Sequence, residues 1–186
     1  MSARLAWIYS VFALLLAYGF YWLYTQPLDP SQPAGFPARF GPHLVSIDGG
    51  QPQPFDASSL KNVKYWAFYY SASWCPPCRA FTPRLVDFYN QFKPQHPNFE
   101  LIFVSRDRDE DSMLAYMNTE AMPWPAVRFG DIATADANEF GSSGIPDLVL
   151  VDADGTVLSD SFAMWGWAYV GPDKVIKDIE TMVPTP

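Results

Sequence analysis

The sequence predicts an α/β fold: a three-layer α/β/α sandwich around a mixed β-sheet, with one N-terminal transmembrane helix ahead of it. Three observations carry this reading. VKYWAFYYSAS (63–73) is a nearly continuous aromatic and β-branched run, the pattern of a strand buried on both faces. Helical stretches separate it from the next strand, so the connections are crossovers between parallel strands. DLVLVDADGTVLSDS (147–161) then reads as a hairpin turning at Ala153-Asp154-Gly155, which adds antiparallel strands to the sheet.

In chain order, residues 5–24 come first. This run of twenty positions carries no charged residue and is long enough for a helix to cross a hydrocarbon core of about 30 Å. Its far end is crowded with Tyr18, Phe20, Tyr21, Trp22 and Tyr24, side chains that favour the membrane interface. A cleaved signal peptide is the alternative, but the run exceeds the usual apolar length and Tyr-Gly-Phe-Tyr-Trp is a poor cleavage site. Arg4 precedes the span and Asp29 follows it, so the expected orientation keeps a stub, 1–4, in the cytoplasm. The body would then stand in a periplasm, another extracytoplasmic space or an organelle intermembrane space. Residues 25–42 are rich in Pro and Gly and read as an extended spacer, leaving 43–186 as the folded domain.

Within that domain, HLVSID (43–48) is a short strand before the turn Gly49-Gly50. In 78–92, Phe81, Leu85, Phe88, Tyr89 and Phe92 recur at three and four and define a helix with one apolar face, which Pro83 should kink. FELIFVSRD (99–107) is the next strand and 109–119 an exposed helix. The charge run 106–111 is expected to cap and solvate the start of that helix. Met122-Pro123-Trp124-Pro125 interrupts regular structure, 133–140 reads as a short helix, and a last helix runs from Pro172 to Met182 with Val175, Ile176 and Ile179 inward. The aromatic pair in Trp165-Gly166-Trp167 is read as core packing.

A net charge of -8 leaves no basic surface for a nucleic-acid partner. Two cysteines are too few for a disulfide scaffold. His43 and His96 lie far from them in sequence and read as surface or capping side chains, so no zinc ligand set is expected. Asp152 and Asp154 lack the further ligands and distal Glu of a calcium hand. No G-x-G-x-x-G marks a flavin or nicotinamide site, so no cofactor is expected beyond a redox-active Cys75–Cys78 disulfide.

The close pair Cys75-Pro76-Pro77-Cys78 lies between a buried strand and a helix. Cys75 would therefore sit at a helix N-terminus, where unpaired N–H groups and the dipole stabilise a thiolate. Cys78 lies one turn on, placed to attack a mixed disulfide and release its product. The two prolines restrain the backbone between them.

WCPPCRAFTPRL resembles the active-site segment of tryparedoxins and nucleoredoxins, members of the thioredoxin-like superfamily. Pro83, the segment Met122-Pro123-Trp124-Pro125-Ala126-Val127, and Gly144-Ile145-Pro146 before an apolar strand are similar to further family features across roughly 44–180. The resemblance implies that Cys75 attacks, Cys78 resolves and Trp74 flanks the site. It also implies that Pro146 is cis and that the Ile145 backbone pairs with a bound substrate chain. Two positions depart from the commoner pattern. Tyr69 stands where many thioredoxins carry a buried Asp, and a charged Asp147 follows the proline.

The function expected is a membrane-anchored thiol–disulfide oxidoreductase that reduces protein disulfides and is recharged by an upstream electron donor. Two alternatives stay open: a disulfide-forming oxidant on the same scaffold, and an accessory subunit of a larger membrane complex.

Overall fold

A computed structural model of the protein describes residues 35–163 and 168–186. The expected span 5–24 and the Trp165-Gly166-Trp167 segment lie outside the described residues. Among the described residues, no helix is long and apolar enough to cross a membrane.

Seven strands form one mixed sheet: β1 (Leu44–Asp48), β2 (Gln51–Pro54), β3 (Tyr65–Ser71), β4 (Phe99–Ser105), β5 (Ala126–Val127), β6 (Asp147–Asp152) and β7 (Val157–Asp160). Their order is β2-β1-β5-β4-β3-β6-β7. The central strand β3 pairs parallel with β4 and antiparallel with β6, in register from Tyr65↔Phe99 to Ser71↔Ser105 on one side and from Tyr65↔Asp152 to Tyr70↔Asp147 on the other. Buried on both faces, β3 and β4 consist almost wholly of large apolar side chains.

On one face lie α2 (Pro76–Phe92), α3 (Glu110–Thr119) and α4 (Pro172–Met182). Phe81, Leu85, Met113, Tyr116, Val175 and Ile179 pack from these helices against Tyr69, Phe103 and Leu148 of the sheet. The helix α2 crosses over from β3 to the parallel β4 and continues through Pro83. The opposite layer is thin. It is made of α1 (Phe36–Phe40), the 3₁₀ turn Ala57–Leu60 and the loop that follows β5, which together cover Trp66, Phe68, Tyr70 and Val149.

Within 25–42, read from the sequence as an extended spacer, Phe36–Phe40 form the helix α1 instead. Pro37 sits in its first turn, where no intrahelical N–H is needed. Phe36 and Phe40 are buried against Trp66 and Phe68, so the described fold already includes α1, ahead of residue 43. The short helix expected over 133–140 is absent; the segment is a series of turns, with Asp136 at φ 51. Arg39 of α1 binds that segment, its Nε donating to the Ala135 carbonyl at 2.9 Å and Nη2 to the Asp136 carbonyl at 2.7 Å. The strand β2, Gln-Pro-Gln-Pro, carries no strand signal in sequence, yet it forms because it is an edge strand, where prolines are tolerated. A second small sheet pairs β8 (Phe162–Ala163) with β9 (Ala168–Tyr169).

Candidate active site

Cys75 is the N-cap of α2, with extended backbone at φ -95 and ψ 106. Pro76 and Pro77 occupy the first two helical positions and carry no N–H. The first free donor of the helix is therefore the Cys78 N–H, and it points at Cys75 Sγ at 3.3 Å. The Arg79 N–H closes the first turn on the Cys75 carbonyl at 3.1 Å. A thiolate at Cys75 would accept that N–H at the positive end of a seventeen-residue helix, the environment that lowers a thiol pKa. In the structure Cys75 and Cys78 form a disulfide. Cys75 is 4% exposed and Cys78 is fully buried, so an incoming partner meets Cys75 first.

The loop Ser142–Pro146 lies against the pair. The Ile145–Pro146 peptide bond is cis, and the Ile145 carbonyl oxygen stands 3.9 Å from Cys75 Sγ. Ile145 packs on Ala72, Cys75 and Cys78. Trp74 directly precedes Cys75 and is 54% exposed, with its indole N–H donating to the Arg106 carbonyl at 3.1 Å.

Three groups at the site escape sequence reasoning. The first is Asp107, which sequence places in a solvated charge run. It is buried instead, and its Oδ1 accepts from the Ser73 N–H at 2.9 Å and the Ser73 hydroxyl at 2.7 Å, while Ser105 Oγ donates to Oδ2 at 2.9 Å. This strap holds the segment that enters the Cys pair. The parallel pairing of Ser71 with Ser105 is what brings the two strand ends together. From the same run, Arg106 lies over the Tyr70 ring at 5.2 Å, and only Asp109 caps α3, accepting from the Ser112 N–H at 2.7 Å.

The second is a chain of buried hydroxyls behind Cys78. Tyr69 Oη lies 2.8 Å from Thr82 Oγ1, Thr82 Oγ1 lies 2.6 Å from Tyr116 Oη, and Tyr116 Oη lies 3.1 Å from Ser71 Oγ. The chain is tied to the active-site helix by the Cys78 carbonyl, which accepts from Thr82 at 2.9 Å. Burial raises the Tyr69 and Tyr116 phenols above their ordinary range, so both stay neutral. The buried carboxylate that many thioredoxins place here is thus replaced by uncharged groups.

The third is the environment of Asp147, the first residue of β6. It is fully buried. Its Oδ2 accepts from the Ser142 N–H at 2.8 Å, while Oδ1 is buried without a hydrogen-bond partner. Burial pushes its pKa up to about 7; the Ser142 N–H opposes that shift and the neighbouring Asp160 carboxylate adds to it.

The histidines are engaged elsewhere. His43 Nδ1 lies 3.0 Å from Asp131, and His96 stacks on Phe92 with ring centroids 3.7 Å apart. Among the described residues no cluster of His, Cys, Asp and Glu is arranged to hold a metal ion. The Asp152 carboxylate accepts from the Asp154 and Thr156 N–H groups and closes the β6–β7 turn.

A mixed sheet flanked by helices, with a Cys-Pro-Pro-Cys disulfide at a helix N-terminus and a proline loop against it, defines the thioredoxin-like class. The thioredoxin-like family model matches residues 62–157, just over half of the chain, and the chain belongs to that family. It is 44% identical over 118 residues to probable nucleoredoxin 1 of Arabidopsis thaliana, covering 60% of this chain and 20% of that protein. To nucleoredoxin of Homo sapiens it is 41% identical over 109 residues, covering 58% and 24%. The chain thus spans about a fifth to a quarter of the length of these curated relatives. Among solved structures it is similar to tryparedoxin I from Leishmania major, at 36% identity and TM-score 0.52, covering 65% of this chain and 82% of that one. Tryparedoxin II from C. fasciculata gives 35% identity and TM-score 0.54, covering 67% and 86%. The domain is of the thiol–disulfide oxidoreductase type.

Proposed function

We propose that this protein reduces disulfides in other proteins through Cys75 and Cys78, drawing electrons from an external dithiol donor. The observation that carries this reading is the setting of Cys75 Sγ: it caps α2, accepts the Cys78 N–H, and has the Ile145 carbonyl 3.9 Å away. The likeness to tryparedoxins and nucleoredoxins supports it.

An external dithiol first delivers two electrons to the Cys75–Cys78 disulfide. The Cys75 thiolate then attacks one sulfur of the substrate disulfide; a mixed S–S bond forms, the substrate S–S bond breaks, and one substrate thiolate leaves. Cys78 gives its proton to solvent and attacks Cys75 Sγ. The mixed disulfide breaks, and the second substrate thiolate leaves and takes up a proton. The protein ends oxidised by two electrons and the substrate reduced by two. Trp74 and the Ile145 backbone flank the sulfur where the substrate chain would lie. The uncharged run 5–24, preceded by Arg4, supports a membrane anchor with the domain on the extracytoplasmic side.

The experiment is capture with Cys78→Ser in the native membrane. This variant is expected to accumulate mixed disulfides through Cys75, and Cys75→Ser to accumulate none. Failure to trap any protein, under conditions where a control redox protein traps well, overturns the proposal. The direction of flow is read from the reduction potential of the pair: a value near about −270 mV fits a reductant, and one near about −120 mV an oxidant.

A further inference from the structure

The redox chemistry leaves Asp147 without a role, although it directly follows the loop 142–146 and is among the most deeply buried acidic side chains of the domain. A buried carboxylate oxygen with no donor is costly, and more so when it is charged. Asp147 Oδ1 is such an atom. That cost vanishes if the carboxyl carries a proton and has an acceptor within reach. The strand β7 supplies one: Asp160 follows the hairpin back beside β6, paired in register with Val149, which sets it on the same face of the sheet as Asp147 and diagonally across from it. Asp160 is itself oriented by the Phe162 N–H, which donates to its Oδ1 at 2.8 Å. The other groups around Asp147 are the neutral phenols of Tyr70 on β3 and Tyr169 on β9, the Arg106 guanidinium over the Tyr70 ring, and Glu139 beyond Tyr70. Arg106 Nη2 reaches the Ser142 carbonyl at 3.5 Å. Among the described residues, no hydrogen bond or ion pair joins Arg106 to Asp147.

We propose that Asp147 is a positioning residue for disulfide exchange: it shares one proton with Asp160, and in that form its Oδ2 holds the Ser142 N–H, so that the loop 142–146 keeps the Ile145 carbonyl against Cys75. The inference rests on the redox reading of the Cys pair. Losing the shared proton puts two carboxylates side by side in a buried site, one oxygen still without a donor. The least costly relief is for the Asp147 side chain to turn toward solvent and release Ser142. The loop then loosens, and docking of an extended peptide disulfide weakens as pH rises through neutrality. The sign follows from the raised pKa. A carboxyl that binds its proton more tightly when folded favours the ordered state at low pH and loses that advantage as pH climbs from its ordinary 3.8 to about 7.

Two measurements on the full chain test this. The first is a ¹³C titration of the aspartate carboxyl carbons with the disulfide intact. One carbon is expected to titrate near neutrality, to be missing in Asp147→Asn, and to fall toward the ordinary aspartate range in Asp160→Asn. If every aspartate carbon titrates below about pH 5, the shared proton does not exist and the proposal fails. The second is the KM for a peptide disulfide from about pH 6 to about pH 8. Wild type is expected to show a several-fold rise in KM. Asp147→Asn keeps an acceptor for Ser142 and a donor for Asp160, so its KM should stay flat, while Asp147→Ala should have the high value throughout. Parallel wild-type and Asp147→Asn profiles overturn the positioning role. If wild type reduces no disulfide at any pH, the redox reading fails on its own, and the carbon titration still decides whether Asp147 and Asp160 share a proton.

Discussion

Thr82 is a single hydroxyl on which three other groups depend. It lies on α2 one turn after Cys78, facing the sheet, and its Oγ1 meets Tyr69, Tyr116 and the Cys78 carbonyl. Thr82→Val keeps the shape and removes the polar atom. Two buried phenols and one carbonyl then lose their common partner, at a cost of about 1–3 kcal/mol. The expected result is a lowered midpoint in denaturant with an unchanged slope, restored by Thr82→Ser. Because the first turn of α2 is tied down through this atom, the same variant should also shift the reduction potential of the Cys75–Cys78 pair, which a remote packing defect would leave in place. Asp107 shows the same dependence of one atom on distant ones, since its carboxylate is shared between Ser73 on one strand end and Ser105 on the next.

At the scale of elements, the active site is where the N-terminus of α2 meets the loop before β6, and the loop is backed by β8. Gly144 shows how closely they fit. A Cβ at this position would lie 2.5 Å from the Phe162 ring, too near for any real contact. Gly144→Ala must displace the Phe162 ring, the loop or β8. It is expected to destabilise the domain by about 1–3 kcal/mol and to raise the KM for a peptide disulfide. Thermal unfolding and peptide-disulfide kinetics check the two effects. An unchanged KM beside a lowered melting temperature would mean that β8 alone yields. Phe162 in turn packs on Tyr169 with ring centroids 4.8 Å apart, so the small β8–β9 sheet buttresses the loop 142–146.

For the whole molecule, the sheet is covered unequally. Three helices pack on one face, and on the other a five-residue helix, a 3₁₀ turn and a loop do the same work. That thin layer depends on Phe36, whose ring meets Phe40, Trp66, Phe68 and Phe140 edge-on at centroid distances of 5.5–6.0 Å. Phe36→Ala is expected to cost about 3–5 kcal/mol, measurable by urea unfolding. A chain cut to begin at residue 43 should suffer at least as much. If the cut chain unfolds at the wild-type midpoint, α1 is an ornament and the folded unit does begin at 43.

What was legible in the sequence is what short spacing controls. The order of β3, α2, β4 and the β6–β7 hairpin follows from hydrophobic periodicity and turn residues that act within a few positions. The aim of the Cys78 N–H at Cys75 Sγ follows from two consecutive prolines that leave it the first donor of α2. Tertiary structure decided the rest. A Gln-Pro-Gln-Pro segment becomes β2 because β1 offers it an edge, and Phe36 and Phe40 draw a proline-rich segment into α1 because an aromatic sheet face needs cover. Asp107 reads as part of a solvated charge run and Asp147 as a charge after the site proline, and both are buried. Their environments are set by partners that the strand register brings from 34 residues away, as with Ser73 and Asp107, or from an adjoining hairpin, as with Asp147 and Asp160. A carboxylate's protonation state is decided by burial and by the charges that reach it, and both belong to the folded chain.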